Sequence, residues 1–345
     1  MMSNLQILWF TLIAVLWVGY FFLEGFDFGV GILLPFLGKD DVDRRVMINT
    51  IGPVWDGNEV WLVVAGGATF AAFPDWYATL FSGFYLPLFL VLVALIFRGV
   101  AFESRSKDVR PAWRAWWDRA IFWGSLVPSL LWGVAWANIL RGVPIDSSKE
   151  FTGSLFGLLN PYALVGGVAF VLLFTLHGAV FIALKTHGAI ADRARSMAAK
   201  LAWAAAAGVF AFLGWTYLNA VEKNTRGIVP DPMPIAAIAL LLVVSWLVYQ
   251  KWDGWAFVAT GASIVLLTAT IFMNLYPRVM VSSTNPDFSL TIATASSAPY
   301  TLKLMSIIAA IFTPVVLLYQ GWTYWVFRRR IGREDVAEAI AGALH

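Results

Sequence analysis

Four carboxylic acids interrupt two apolar stretches near the start of the chain. Glu24 and Asp27 lie in the first stretch, and Asp56 and Glu59 lie in the second. In each stretch the two acids are three residues apart, a spacing that places both on one face of a helix. Acids within a membrane are costly and usually functional. Because neighbouring buried acids share a proton more readily than they hold separate charges, the pattern predicts a proton relay along one line of four carboxylates.

The surroundings of these acids favour close helix packing. Gly25 and Gly29 form a pair of small residues, four apart, that lets a second helix approach. Pro53 and Gly57 are expected to loosen the start of the second stretch. The alternative role is structural, with the acids paired to basic residues at helix ends, and the cost of burying acids in lipid favours function over it. The basic candidates for such pairs are Arg98, Lys39, Arg44 and Arg45.

Two other polar features are weaker candidates for a site. His177 is the only histidine inside an apolar stretch, and it lacks helically spaced partner ligands, so a hydrogen-bonded structural role is favoured over haem or metal ligation. Arg98 and Glu103 lie near the end of another stretch. A pair of interfacial side chains that extend towards water is favoured there over a proton-uptake pair.

The composition is that of an integral membrane protein. Of the 345 residues, 60% are hydrophobic and 13% are charged, and the mean hydropathy is +0.74. The net charge of +3 comes from basic residues dispersed among short loops, which argues against a nucleic-acid partner. Cysteine is absent, which excludes disulfides, thiolate metal sites and cysteine nucleophiles. The N-terminus lacks a basic segment and a small-residue cleavage site, so we expect no cleaved signal peptide.

Apolar runs between charged or Pro/Gly-rich breaks predict nine transmembrane helices in a single polytopic membrane domain, residues 1–345. The seventh and eighth spans are separated only by the polar segment 250–254. They are predicted as two helices because a single fused helix there would be implausibly long. The stretch 277–299 is predicted to be non-helical. The predicted spans are 6–36, 52–73, 77–101, 119–140, 161–184, 200–220, 234–250, 255–276 and 303–327.

Basic residues predict the orientation. Nine spans place the connections alternately on two sides, and Lys and Arg are concentrated on one of them, which is then cytoplasmic. The N-terminus is expected outside and the C-terminus inside. The outer side holds only Arg141, Lys149, Lys223, Arg226, Arg278 and Lys303. The cytoplasmic side holds Lys39, Arg44, Arg45, Arg105, Lys107, Arg110, Arg114, Arg119, Lys185, Arg193, Arg195, Lys200, Lys251, Arg328, Arg329, Arg330 and Arg333.

This orientation sets the depth of the acids. With a rise of about 1.5 Å per residue, Asp27 lies roughly 14 Å from the cytoplasmic end of the first span. Asp56 lies only about 6 Å from the cytoplasmic start of the second, and Glu24 is nearest the middle. This order is expected if protons enter from the cytoplasm.

Several longer motifs resemble subunit II of the cytochrome bd quinol oxidases, and together they extend over nearly the whole chain. Shorter matches lie at 159–161, 282–284 and 289–291. The main segments are 24–31 (EGFDFGVG), 44–49 (RRVMIN), 55–61 (WDGNEVW), 65–72 (AGGATFAA), 81–85 (FSGFY) and 97–107 (FRGVAFESRSK).

The resemblance implies an all-α integral membrane protein with nine transmembrane helices, arranged as two four-helix bundles plus one peripheral helix. It implies a heterodimer with a subunit I that holds haem b and haem d and the quinol-binding loop. The complex oxidises quinol and reduces dioxygen to water in the bacterial plasma (inner) membrane. This chain is then expected to hold no catalytic residue, haem ligand or metal. A small accessory subunit and a structural quinone or lipid are further expectations.

The resemblance also bears on the acids. Members of the family are thought to pass cytoplasmic protons through acids in the first two helices of this subunit, and Asp27 and Asp56 fall in those motifs. Glu24 occupies a position where some members have aspartate, a change that keeps the chemistry but alters the reach. The main alternative is a stand-alone proton-coupled secondary transporter, which predicts inverted repeats and interrupted helices. A purely structural assembly subunit is a third alternative.

Overall fold

A computed structural model describes residues 3–222 and 232–336. The predicted outer-side residues Lys223 and Arg226 lie outside these ranges. The described chain is almost entirely helical, with one small two-stranded sheet formed by β1 (Arg278–Met280) and β2 (Leu290–Thr291). The helices are α1 (Asn4–Leu37), α2 (Asp41–Ile51), α3 (Trp55–Ala72), α4 (Pro74–Gly83), α5 (Tyr85–Ser104), α6 (Pro111–Arg141), α7 (Leu155–Leu158), α8 (Pro161–Lys185), α9 (Gly188–Glu222), α10 (Pro232–Tyr249), α11 (Asp253–Leu275), α12 (Ile292–Ala295) and α13 (Pro299–Val326), with 3₁₀ turns at Arg105–Lys107 and Pro286–Phe288.

The long helices form two groups that share a buried core. Helices α1, α3, α5 and α6 make one group, in which α1 contacts α3 and α6, and α5 contacts α6. Helices α8 to α11 make the other, each packed against the next, with α11 returning to α8. The two groups meet where α8 packs on α1 and α6. These contacts place α1 at the centre of the molecule, so its polar residues lie among other helices rather than in lipid.

Helix α13 is peripheral. Leu302 is the only fully buried residue of α13 within the described chain. The helix contacts chiefly α1 and α3. Polar bonds attach it at both ends: Trp9 Nε1 of α1 donates to the Leu302 carbonyl (3.0 Å), and Trp61 Nε1 of α3 donates to Gln320 Oε1 (3.0 Å). The all-α membrane fold is therefore as expected, with α13 as the peripheral helix.

Eight of the described helices are long and apolar enough to cross a membrane, namely α1, α5, α6, α8, α9, α10, α11 and α13. Helix α3 has 18 residues and matches the predicted second span, but it falls outside this set. Its first turns contain Asp56, Asn58 and Glu59, which lower its hydropathy. The count of nine spans therefore stays a prediction.

The predicted third span, 77–101, is wrong as one continuous helix. Helix α4 ends at Gly83, Phe84 leaves helical geometry, and α5 begins at Tyr85. Pro87 explains the break, because it has no N–H to donate to the carbonyl four residues earlier, at Gly83. The stretch 277–299, predicted to be non-helical, holds the small sheet and the four-residue helix α12. The predicted separation of the seventh and eighth spans is confirmed, since α10 ends at Tyr249 and α11 begins at Asp253.

Ion pairs join the helix ends on the basic side. Asp118, near the start of α6, accepts hydrogen bonds from Arg44 of α2 (2.8 Å) and Arg105 at the end of α5 (2.5 Å). Asp40 caps α2 by accepting from the Asp43 N–H (2.9 Å). That bond and the neighbouring Arg333 hold the pKa of the Asp40 carboxyl below its usual range. Paired charges thus join α2, which connects α1 to α3, to the neighbouring ends of α5 and α6 through Asp118.

Candidate functional site

Helix α1 packs directly against the backbone of α8 next to the acids. A Cβ added to Gly29 would lie 2.0 Å from the Phe174 carbonyl oxygen, and one added to Gly178 would lie 2.3 Å from the Gly29 carbonyl carbon. Gly25 faces the ring of Phe174, and a Cβ added there would lie 2.8 Å from a ring carbon. The predicted close approach at Gly25 and Gly29 is confirmed. It orients the opposite face of α1, with Glu24 and Asp27, away from α8.

A fully buried arginine joins the acids of α1 and α3. Arg98 of α5 is 0% exposed and forms an ion pair with Glu24, which is also 0% exposed. The same guanidinium nitrogen, Nη2, lies 3.2 Å from Glu59 Oε2, whose side chain is 24% exposed. Arg98 also lies over the ring of Phe28, with its Cζ 4.7 Å from the ring centre. One cation on α5 thus binds a carboxylate from each of the two predicted acid pairs.

Asp27 is held by an amide rather than by a cation. Asn58 Nδ2 donates to Asp27 Oδ2 (2.8 Å), and both side chains are fully buried. Asn58 Oδ1 in turn accepts from the Tyr324 hydroxyl (2.7 Å) and, more weakly, from Gln320 Nε2 (3.4 Å). Helix α13 therefore completes a hydrogen-bonded chain that ends at Asp27.

The charges of this acid cluster, Glu24, Asp27, Glu59 and Arg98, do not balance when every group is ionised. Three carboxylates would face one guanidinium in a low-dielectric interior, which is costly. Glu24 Oε2 and Asp27 Oδ1 are buried without a protein hydrogen-bond partner among the described residues. Binding of protons by the carboxyl groups removes the excess negative charge, so the cluster is suited to hold and exchange protons.

Asp56 does not join the acid cluster. Asp56 lies in the first turn of α3 and is exposed. Within residues 3–222 and 232–336, its side chain makes no hydrogen bond or ion pair. The predicted line of four carboxylates is thus three clustered acids and one separate surface acid. Pro53 lies in the turn before α3, which begins only at Trp55, and Gly57 lies in regular helix. Pro53 therefore precedes the start of the helix, and Gly57 does not interrupt it.

Of the basic candidates for pairing with the acids, Arg98 does pair with them: it is buried and bonds Glu24 and Glu59. The interpretation of Arg98 and Glu103 as an interfacial pair that extends towards water is therefore wrong. Arg44 binds Asp118, and the Arg45 side chain binds Ser106, so neither serves the acid cluster.

Three uncharged members of the site were missed in the sequence. Asn58 was passed over because an amide does not titrate, although it lies between two of the predicted acids. Gln320 and Tyr324 lie four residues apart on one face of the largely apolar α13. That spacing was a usable signal, because polar residues repeated on one face of a membrane helix normally face another helix.

The sequence is similar over nearly its full length to a known family of membrane proteins. Residues 5–327 match the family model described as cytochrome bd terminal oxidase subunit II. The chain belongs to that family. It is 45% identical to cytochrome bd ubiquinol oxidase subunit 2 of Bacillus subtilis (strain 168), over 97% of this chain and 99% of the relative. It is 38% identical to cytochrome bd-I ubiquinol oxidase subunit 2 of Escherichia coli (strain K12), over 96% of each.

The fold is also that of a cytochrome bd oxidase chain. The structure of the bd oxidase from Geobacillus thermodenitrificans matches with a TM-score of 0.77, covering 94% of this chain and 98% of that one at 18% identity. At that identity the match concerns the fold alone. With the family established by sequence, the alternative of a stand-alone secondary transporter is not favoured.

A cytochrome family raises the question of a haem ligand in this chain. His177 is 0% exposed, and its ring is stacked on Phe257 with centres 4.7 Å apart. Nε2 lies 3.1 Å from the Phe22 carbonyl, which can only accept, so Nε2 carries the proton. Nδ1 then accepts from the Thr260 hydroxyl at 2.7 Å. Both ring nitrogens are engaged, so His177 does not fit a haem iron in this arrangement.

One surface group among the described residues has the composition of a metal site. It consists of His187, Glu334 and Asp335, whose ligand atoms lie within 4.8 Å of one another. All three side chains are at least one-third exposed, and His187 Nε2 lies 3.4 Å from Glu334 Oε1. This is the geometry of a surface ion pair between the α8–α9 turn and the segment after α13.

Proposed function

We propose that this chain is subunit II of a membrane-bound quinol oxidase of the aerobic respiratory chain. It would support a haem-bearing subunit I that oxidises quinol and reduces dioxygen to water. The observation that carries this function is the match of residues 5–327 to the subunit II family, together with relatives named as ubiquinol oxidase subunits. Haem b and haem d are assigned to subunit I, and the engagement of both His177 nitrogens supports that assignment.

The proposed location is the bacterial plasma membrane, with the N-terminus outside and the C-terminus cytoplasmic. The asymmetry of basic residues supports this orientation. Helix α3 then also crosses the membrane, which brings the number of spans to nine. Its polar side chains Glu59 and Asn58 pair with Arg98 and Asp27 and so do not face lipid unpaired. A small accessory subunit and a structural quinone or lipid remain predictions.

We further propose that the acids pass cytoplasmic protons towards subunit I. The burial of the four acids increases along the proposed path, which supports this role. Asp56 is exposed, Glu59 is partly exposed, and Glu24 and Asp27 are fully buried. Protons would be taken up at Asp56, transferred to the acid cluster, and released as the next proton arrives. Each carboxyl gains one proton and loses one, so no net charge is stored.

Arg98 and Asn58 have positioning roles in this relay. Arg98 offsets the charge of Glu24 and Glu59, which lowers the cost of an ionised carboxylate during transfer. Asn58 directs Oδ2 of Asp27 by donating to it, leaving Oδ1 to carry the exchanged proton. A relay therefore requires a titratable group at Asp27 but only a hydrogen-bond donor at residue 58.

The test replaces the relay acids without changing their size. Asp27→Asn and Asp56→Asn, singly and together, keep side-chain volume while removing the titratable proton. We expect assembled complexes with normal haem content, slower oxygen reduction and slower proton uptake from the cytoplasmic side. Measurements are oxygen consumption with quinol and proton uptake by oriented proteoliposomes. Asp75→Asn is the matched control, because Asp75 is an exposed acid at the start of α4, and it should behave as wild type.

The outcomes separate the remaining alternatives. Loss of assembled complex in the Asn variants, with normal specific activity in whatever assembles, indicates a structural role for the acids. Assembled variants with unchanged oxygen reduction and unchanged proton uptake exclude the relay. A chain that purifies alone, folded and colourless, counts against the oxidase assignment itself.

A further inference from the structure

An apolar cavity of about 440 Å³ opens where the end of α13 passes α1, α8 and α11. Five phenylalanines line it: Phe22 and Phe26 of α1, Phe181 of α8, Phe257 of α11, and Phe327 just after α13. It lies on the side of α1 that faces α8 and α11, with Tyr324 as the only wall residue that also takes part in the hydrogen-bonded chain to Asp27 among the described residues. The acid cluster does not line this cavity.

The mouth of the cavity is basic. Lys185, Arg328 and Arg330 line it at the level where α8 and α13 end. Among the described residues, Lys185 Nζ donates only to main-chain carbonyls, those of Phe327 and Arg329. Arg328 Nη1 donates to the Trp325 carbonyl (2.6 Å).

The positive charge at the mouth is only partly compensated. Within the described chain no carboxylate pairs with Lys185 or Arg328. Arg330 lies 3.3 Å from Asp253, but that acid is shared with Arg195 at 2.8 Å. The mouth therefore carries excess positive charge.

The protein holds this basic mouth in place. The Ile331 N–H donates to the Lys185 carbonyl (2.9 Å), so the segment after α13 is joined to the end of α8. The Phe327 N–H donates to the Thr323 carbonyl (3.1 Å) and closes the last turn of α13. The cationic groups are thus fixed beside the apolar chamber rather than carried on a separate tail.

We propose that this cavity binds one anionic phospholipid of the leaflet on the basic side of the protein. Its phosphate would lie at Lys185 and Arg328, and one acyl chain would lie among the phenylalanines. Basic pockets between membrane helices suit anionic headgroups. A neutral amphiphile would leave the excess charge uncompensated, and a free anion would leave the aromatic chamber unused. The bound lipid fills the space between peripheral α13 and the helix core.

The experiment uses the full-length chain in its detergent-purified complex. The variant Lys185→Gln/Arg328→Gln removes both cations at the mouth. The control Lys200→Gln/Arg119→Gln removes two exposed cations of the same basic side that do not line the cavity. After exhaustive washing, lipid per complex is measured by mass spectrometry. Wild type and control should retain about one phosphatidylglycerol or cardiolipin, and the variant should retain roughly tenfold less.

A second variant tests the chamber itself. Leu184→Trp, at the cavity wall, enlarges a side chain there while keeping both cations, and it should also lose the retained lipid. Added phosphatidylglycerol should raise the thermal midpoint of delipidated wild type and control but of neither variant. Three results would overturn the proposal: equal retention in all proteins, an equal effect of phosphatidylcholine, or full stabilisation by inorganic phosphate alone.

Discussion

At the scale of single residues, Arg98 organises the site. It is wholly buried, and it bonds Glu24 and Glu59 with one nitrogen while its Nε and Nη1 have no protein partner in the described chain. Two helices that each carry acids are therefore joined through one side chain of a third helix. This cation offsets the negative charge of one carboxylate on α1 and one on α3 where the two helices meet.

Removal of Arg98 should destabilise the protein strongly. Arg98→Met leaves Glu24 and Glu59 without a cation in a buried setting, and breaking a buried pair in this way costs about 3–5 kcal/mol. The thermal midpoint and yield of the purified complex should fall. The double variant Arg98→Met/Glu24→Met removes the uncompensated charge as well and should recover much of the loss. A single variant as stable as wild type contradicts the ion-pair geometry.

Replacement of His177 should leave the haems unchanged. His177→Ala removes hydrogen bonds to Phe22 and Thr260, each worth about 0.5–1.5 kcal/mol, so a lower thermal midpoint is expected. Haem per assembled complex, measured by the reduced-minus-oxidised spectrum, should stay at the wild-type value. Loss of one haem signal from an otherwise intact complex would show that the residue is a ligand.

At the scale of elements, the crossing of α1 and α8 sets the position of the acids. Gly29 and Gly178 bring the two backbones into contact, and no larger residue fits at either position. The crossing fixes the rotation of α1 about its own axis. That rotation directs Glu24 and Asp27 towards α3 and α5, where Arg98 and Asn58 meet them.

Filling this crossing should separate the two helices. Gly178→Ala places a methyl group within 2.3 Å of the Gly29 carbonyl carbon, and overpacking of this kind costs about 1–3 kcal/mol. The complex should show a lower thermal midpoint and slower turnover, since the acids move with α1. Gly214→Ala in α9 is the control, because nothing lies within 4 Å of its added methyl group. Equal behaviour of the two variants would mean that the crossing tolerates separation.

At the scale of the whole molecule, orientation connects the basic side with proton uptake. The surface acid Asp56, the basic helix ends and the cavity with the basic mouth lie towards the same ends of α1, α8 and α13. If that side is cytoplasmic, the proposed relay takes up its protons from the cytoplasm, and oxygen reduction by the proposed complex then moves charge across the membrane.

Orientation can be measured with single cysteines, because the chain has none of its own. Lys107→Cys and Ser147→Cys lie at exposed positions in connections predicted on opposite sides. In sealed right-side-out vesicles, a membrane-impermeant maleimide should label Ser147→Cys on this chain and should reach Lys107→Cys only after permeabilisation. The reverse pattern would invert the topology and place proton uptake on the outer side.

The sequence alone determined the class of the protein, most helix positions and the four acids to which the three clustered acids belong. These properties depend on local composition: apolar length predicts a span, glycine spacing predicts close packing, and an acid in an apolar run requires a partner. The family motifs are likewise contiguous in the chain. Each of these signals lies within one segment, so no knowledge of distant contacts was needed.

Only the tertiary structure decided which groups meet. The partnership of Arg98 with Glu24 and Glu59, and the reach of Tyr324 to Asn58, join residues far apart in the chain. Helical spacing gives the face on which a side chain lies, but not the rotation of that face relative to its neighbours. The contact of Gly29 with Gly178 sets that rotation for α1, on which Asp27 is buried, whereas Asp56 is exposed because it lies in the first turn of α3.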